Sequence, residues 1–206
     1  MDRDEGGLSP GRIEALCDGV FAIAMTILVL ELHVPERLGP GGLAGELGRL
    51  LPKLASYAVS FVILGTLWVG HRYQFHFIRR SDRALLWINL GFLLFISFLP
   101  FATALVGSYP AERAAVLTYG ATLMAAGLCL LAQWEYVSRR RGLLASSTDA
   151  TAVRALRARV IAGTVCYAVA LLTAVWSPGP ALMLFAAMPL LYLVPTRIDR
   201  HVRGAG

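Results

Sequence analysis

The sequence predicts an all-α, polytopic membrane fold with six transmembrane helices in a single domain over 1–206. Three observations predict it. The 206 residues are 57% hydrophobic and only 16% charged, with a mean hydropathy of +0.63. An ordinary soluble domain is about 45–50% apolar and about 25% charged. The apolar residues also fall in long runs, each able to cover a hydrocarbon core of ~30 Å at 1.5 Å per helical residue. Finally, the basic residues cluster between alternate runs. With the N-terminus on the cytoplasmic side, fifteen of the nineteen Lys and Arg lie on that side and four (Arg37, Arg49, Lys53, Arg113) on the other. That bias predicts a multi-pass protein of the cell membrane with both termini cytoplasmic and an even number of spans.

The spans are expected over 10–33, 54–77, 84–106, 112–137, 156–176 and 181–198. In the first, Ser9 is a candidate N-cap, Pro10 occupies the first helical position and Pro35 stops the helix. The Gly/Pro-rich run RLGPGGLAGELG after it reads as a flexible loop. Pro100 should kink or locally unwind the third span. The segment after Gly142 is too short for a core of its own, but Ser147 or Asp149 could cap a helix there. The sixth span follows Ser177-Pro178-Gly179-Pro180 and is interrupted by Pro189. Trp87, Trp134, Trp176, Tyr109 and Tyr136 lie near span ends, as interface anchors do.

Several functional classes are excluded. There is no HExxH, GxSxG or Walker A motif and no paired-carboxylate constellation, so the chain is not expected to be an enzyme. The net charge of +6 comes in short clusters without a nucleic-acid signature, so no nucleic-acid partner is expected. Cys17, Cys129 and Cys166 lie within apolar runs and form no CxxC or Cys/His ligand set; they read as small buried hydrophobes, with no tightly bound metal and no cofactor.

The first span carries the functional question. Projected at 100° per residue, Leu16, Ile23, Ile27 and Leu30 fall within about 60° of one another, with Gly19 and Thr26 alongside. Asp18 falls about 140° from Ile23, with Glu14 on its side. A charge inside a membrane helix costs roughly 2.5–3.5 kcal/mol at mid-span, so Asp18 requires a donor from another helix. Trp68, His71, Arg72 and Asn89 are candidates, and Arg12 is another, within its span or across a subunit contact. The aliphatic stripe is either ordinary packing or the wall of a pore.

Arg12-x-x-x-Leu16-Cys17-Asp18 resembles the RxxxFSD signature that opens the first helix of the TMEM175 family of lysosomal potassium channels and their prokaryotic homologues. Ser56-Tyr57, Ser60-Phe61, Gly65, Trp68 and His71 resemble the second-helix pattern of that family, and Pro100-Phe101 with Thr103-Ala104-Leu105 the end of its third. The resemblance implies a six-helix subunit of a homotetramer, surrounded by lipid, with potassium as the permeant ion and the first helix lining the pore. It further implies selectivity without a TVGYG filter, the main constriction at Ile23 and a continuation through Thr26, Ile27 and Leu30. Arg12, Asp18, Trp68 and His71 match the family's hydrogen-bonding network behind the pore helix. The chain departs from the pattern at Leu16 and Cys17, where Phe and Ser are usual. A thiol is a weak donor, so the network should be weaker at that point. Two other readings stand beside this one: a proton pathway or proton-coupled transporter using Asp18 and His71, and a scaffold acting through Arg139 to Arg141.

Overall fold

A computed structural model describes residues 9–35, 40–140, 142–145 and 148–193, with side chains to 189. Six helices follow one another: α1 (Pro10–Leu30), α2 (Gly42–His76), α3 (Arg83–Ser108), α4 (Arg113–Arg139), α5 (Ala150–Trp176) and α6 (Pro178–Leu193). The first five are long and apolar enough to cross a membrane, and α6 is a shorter apolar helix within the described residues. Ser147, the basic residues Arg3, Arg37, Arg141, Arg197, Arg200 and Arg203, and the last five residues of the expected sixth span lie outside the described residues.

The helices differ from the expected spans at their ends. α1 stops at Leu30, before His33, and Ser9 occupies its N-cap position without a side-chain cap bond. α2 begins at Gly42, twelve residues earlier than expected, so most of the Gly-rich run is helix rather than loop. Leu43, Leu47, Leu51 and Leu54 recur there at helical spacing, and Glu46 and Arg49 pair at 2.7 Å across one turn. Among the described residues of that run the turn is limited to Pro40 and Gly41, followed by Gly42, whose φ of 62° suits glycine. α3 runs through Pro100 without unwinding. α5 begins six residues early because Asp149 caps it, accepting from the Thr151 amide at 3.2 Å. α6 starts at Pro178 and includes Pro180: both prolines fall in the first turn, where amide hydrogens have no intrahelical partner.

α3 is the centre of the bundle, packed against α1, α2 and α4; α5 and α6 close the outer side against α4, and α6 also reaches α2. Close packing on that side depends on Gly120 of α4, where an added Cβ would stand 2.8 Å from the Phe185 ring and 2.9 Å from Leu171. Several polar residues buried within the bundle are paired between helices, while Thr122 and Thr164 donate to carbonyls of their own helices. Ser60 of α2 meets the Tyr119 hydroxyl of α4 at 3.0 Å and accepts from Thr103 of α3 at 2.9 Å. Gln133 of α4 donates to Gln74 of α2 at 2.9 Å, and Gln74 donates to the Leu130 carbonyl at 3.0 Å. Such pairing is what an apolar surrounding demands of polar side chains.

The two basic connections are tied to each other. Ile78 and Leu144 form an antiparallel bridge, with the Arg79 amide donating to Leu143 at 2.8 Å and the Ala145 amide to Phe77 at 3.0 Å. Asp82 is the knot. It caps α3 by accepting from the Leu85 amide at 2.9 Å, accepts the Tyr136 hydroxyl at 2.6 Å, and has Arg140 at 3.7 Å. Glu135 pairs with Arg139 and Arg157 beside it.

Burial pushes the Asp82 carboxyl up, but the Tyr136 hydroxyl, the Leu85 and Ala84 amides and Arg140 outweigh that and hold it below the usual carboxylate range. A group whose folded pKa is depressed stabilises the fold above its unfolded value, about 3.9 for Asp. That stabilisation is lost as pH falls through the folded value. Asp82→Ala is therefore expected to destabilise the protein at pH 7 by about 1 kcal/mol, the usual cost of losing an N-cap. The gap from wild type should narrow as pH falls below about 4, as thermal melting in detergent at pH 7 and at a series of acid pH values would measure.

Candidate functional site

α1 carries a different environment on each face. Ile13, Cys17, Phe21, Ala24 and Leu28 are buried against α2 and α3, with Phe21 packed on Phe92 at a centroid distance of 5.8 Å. The opposite face is bare. Leu16 is 45% exposed, Ile23 60%, Ile27 39% and Leu30 68%. Thr26 shares that face, and its hydroxyl is turned back onto its own helix, donating to the Ala22 and Ile23 carbonyls at 3.0 and 2.9 Å. The face is therefore aliphatic in chemistry as well as composition.

Two separate polar contacts fix α1 to its neighbours. On the side away from Ile23, Asp18 accepts the Trp68 indole N–H at 2.7 Å, a short charge-assisted bond between α1 and α2. On the buried side, Cys17 Sγ lies 3.4 Å from His71 Nε2 and donates to Asn89 Oδ1 at 3.4 Å, while Asn89 Nδ2 donates back to the sulfur at 3.3 Å. His71 Nε2 and Asn89 Oδ1 are 2.9 Å apart. The set closes when His71 carries its proton on Nε2 and donates to the Asn89 oxygen, an assignment that follows from the hydrogen-bond pattern. The imidazole is stacked between Phe75 and Phe92, at centroid distances of 4.4 and 5.5 Å.

The residues expected behind the pore helix are thus divided. Asp18 and Trp68 are joined. His71 belongs to the adjacent buried cluster, and Asn89, named as a possible partner of Asp18, pairs instead with His71 and Cys17. Arg12 is exposed near the start of α1, and its guanidinium makes no hydrogen bond to another described residue. Arg72 sits over the Trp68 ring at 5.8 Å rather than on a carboxylate. Cys17, read from sequence as a small hydrophobe with a weak donor, is fully buried at the centre of the cluster. The signal for that role was its place between Ile13 and Phe21 on the buried face, with polar Asn89 and His71 at matching depth. Among the described residues no group of three His, Cys, Asp or Glu side chains could hold a metal ion.

The architecture defines a multi-pass helical membrane protein whose first helix is pinned on one side and bare on the other. A family model described as the endosomal/lysosomal potassium channel TMEM175 matches residues 12–100. A Streptomyces collinus protein described as a potassium channel is 40% identical over 161 residues, covering 76% of this chain and 78% of that one. The human protein described as the endosomal/lysosomal proton channel TMEM175 is 36% identical over 104 residues, covering 46% of this chain and 20% of that one. The crystal structure of a lysosomal potassium-selective channel TMEM175 homolog from Chamaesiphon minutus superposes with a TM-score of 0.80 at 28% identity, covering 96% of this chain and 98% of that one. The chain belongs to the TMEM175 family, on its prokaryotic side, a family of ion channels and not of enzymes.

The buried cluster gives a direct test. Cys17→Ala leaves the Asn89 amide hydrogen without its acceptor, at a cost of about 1–3 kcal/mol. Cys17→Ser keeps a donor and acceptor in place. Melting of the purified protein should therefore show a clear loss for Cys17→Ala and a much smaller change, or a gain, for Cys17→Ser.

Proposed function

We propose that this protein is a potassium-permeable cation channel of the cell membrane, with both termini cytoplasmic, working as a homotetramer with α1 around a central pore. The observation that carries the reading is the bare aliphatic face of α1, with Ile23 60% exposed on a helix that is buried on one side and tied to α2 through Asp18 on another. A lone subunit would turn such a stripe to lipid, as α3 turns Leu94 and α5 turns Leu172, whereas four copies facing an axis make of it an apolar ring. The description of the Streptomyces relative as a potassium channel supports the choice of ion.

In this reading Ile23 forms the narrowest ring, and Thr26, Ile27 and Leu30 continue it toward the far end. The ring has no polar atom to replace an ion's hydration shell, so when narrow it excludes water and ions together. Conduction follows a modest rotation or splaying of the α1 helices. Potassium, less strongly hydrated than sodium, crosses an apolar constriction at lower cost. Arg12, exposed on α1, is positioned to meet a neighbouring subunit. Ile23→Asn adds a polar ring at the constriction, and potassium flux into proteoliposomes should rise while discrimination against sodium falls. Unchanged flux and selectivity would overturn the assignment.

A proton pathway is the second reading, favoured by the description of the human relative as a proton channel and by the buried His71. The polar groups along the core face of α2 do not form a relay. His71 and Ser60 are eleven residues apart, about 16 Å of helix, and Ile63, Leu64 and Leu67 are buried between them. Asp18→Asn keeps an acceptor for Trp68 and removes the titrating group. Potassium flux should survive this change; loss of a proton flux in a folded assembly would favour the proton pathway instead.

A further inference from the structure

α2 is longer than the bundle it belongs to. Gly107, one residue before the end of α3, is packed against it: an added Cβ there would stand 3.3 Å from the Lys53 Cα and 3.4 Å from the Ser56 Cβ. α1 ends at the same level, where Glu31 and Leu32 line a cavity of about 260 Å³ together with Lys53, Tyr57 and Gly107. From Lys53 to His76 α2 covers about 36 Å, enough for a hydrocarbon core of ~30 Å. Gly42 to Pro52 therefore overhangs the bundle by about 16 Å at the end away from the basic connections, and none of these residues is buried.

This overhang is not built to stand alone. It contains Gly42, Gly45, Gly48 and Pro52, and short helices are marginal in water even when they are rich in alanine. Its apolar residues follow a stricter rule than amphipathicity. Leu43, Leu47, Leu50, Leu54, Tyr57 and Phe61 recur at alternating steps of four and three, the a and d positions of a heptad. Leu64, Trp68, His71 and Phe75 continue the alternation, and there the seam is occupied: Trp68 bonds Asp18 of α1, and Leu64, His71 and Phe75 are buried. Beyond the end of α1 the seam has no partner. Leu43, Leu47 and Leu54 are exposed and Leu50 is half-buried, with exposed Leu51 widening the face.

Acyl chains do not reach this stretch, because the headgroup layer adds only about 5–8 Å on each side of the hydrocarbon core. A second copy does. Copies that cross the membrane in one sense hold their overhangs parallel, on one side and at one height. No charged residue interrupts the seam, and Glu46 on its flank is paired with Arg49 of its own helix at 2.7 Å. We infer that the α2 overhangs of neighbouring copies pair with one another, Leu43, Leu47, Leu50 and Leu54 of one against the same residues of the next, in a parallel coiled-coil collar outside the hydrocarbon core. The inference rests on the assembly proposed above and adds a contact that does not use the Ile23 face. The collar holds the outer ends of the helices whose Trp68 and His71 anchor α1.

Cysteine cross-linking of the full-length protein in its membrane tests this. Under mild oxidation Leu47→Cys and Leu50→Cys, at a and d positions, should each shift most of the chain from the single-chain band to linked oligomers. Gly45→Cys, on the opposite side of the overhang with open space around its Cβ, should stay at the background set by the native cysteines of the wild type. Leu47→Glu with Leu50→Glu should lower the melting temperature of the assembly or the number of subunits it retains. Absence of cross-links at 47 and 50 overturns the collar, as does equal cross-linking from Gly45→Cys or a double glutamate variant that melts and assembles like the wild type. If the double variant does not fold, the cysteine variants decide alone. Native mass and potassium flux of the same samples separate the collar from the channel. A conducting four-subunit protein without cross-links overturns the collar only, whereas cross-linked protein that carries no flux supports the collar and overturns the channel.

Discussion

The structure depends on the satisfaction of one carboxylate. Asp18 sits partway along a helix that is otherwise almost wholly apolar, where an unpaired charge costs several kcal/mol. The Trp68 indole answers it with a 2.7 Å bond from α2. That contact acts with the buried Cys17 cluster to fix the rotation of α1 about its axis, because a helix turned by one residue carries Asp18 through 100° and away from its donor. Cys17, one residue earlier, then falls inside the bundle against His71 and Asn89, and the Ile23 face falls outside. Two adjacent residues thus set which side of α1 is anchored and which is free.

The buried thiol shows how such a cluster tolerates a poor hydrogen-bonding atom. Sulfur is a weak donor and acceptor, yet at the ordinary sulfur distances of 3.3 to 3.4 Å Cys17 receives one hydrogen from Asn89 and lies within reach of two acceptor or donor groups. The stronger bond in the set is between His71 and Asn89 at 2.9 Å, joining α2 to α3 without Cys17. The α2–α3 frame is therefore built independently of the residue at position 17, and what that residue adjusts is how firmly α1 attaches to it. The stacking of the imidazole between Phe75 and Phe92 makes the same frame rigid on its apolar side.

Much of this was legible in the sequence, for identifiable reasons. Hydropathy and the arginine bias gave the helix count because they act over whole spans. The projection of α1 correctly parted Asp18 from Ile23, since both lie on one helix and their azimuths follow from geometry alone. Trp68 stood among the possible donors to Asp18, but His71, Arg72 and Asn89 were equal candidates, because a projection carries no register between helices. The start of α2 was hidden by glycine and proline, whose local signal outweighed the Leu43, Leu47, Leu51 and Leu54 spacing. The Asp82 knot was equally hidden: Tyr136 and Arg140 are fifty or more residues away, and only the fold of the two connections brings them together.

An aliphatic constriction places the control of permeation away from the permeating ion. With the Thr26 hydroxyl committed to its own helix, the proposed ring offers an ion no oxygen ligand. A filter of carbonyls selects by the field of the groups that touch the ion, whereas an apolar ring selects by aperture and by the cost of dehydration. In the proposed assembly aperture follows the rotation and tilt of α1. Those are set by Trp68 behind Asp18 and by His71 and Asn89 behind Cys17, none of which faces the ring. Substitutions that alter conduction in such a protein therefore need not line its pore. In the proposed tetramer the residues one layer back would act on the same quantity, the radius at Ile23, through the posture of the helix that carries it.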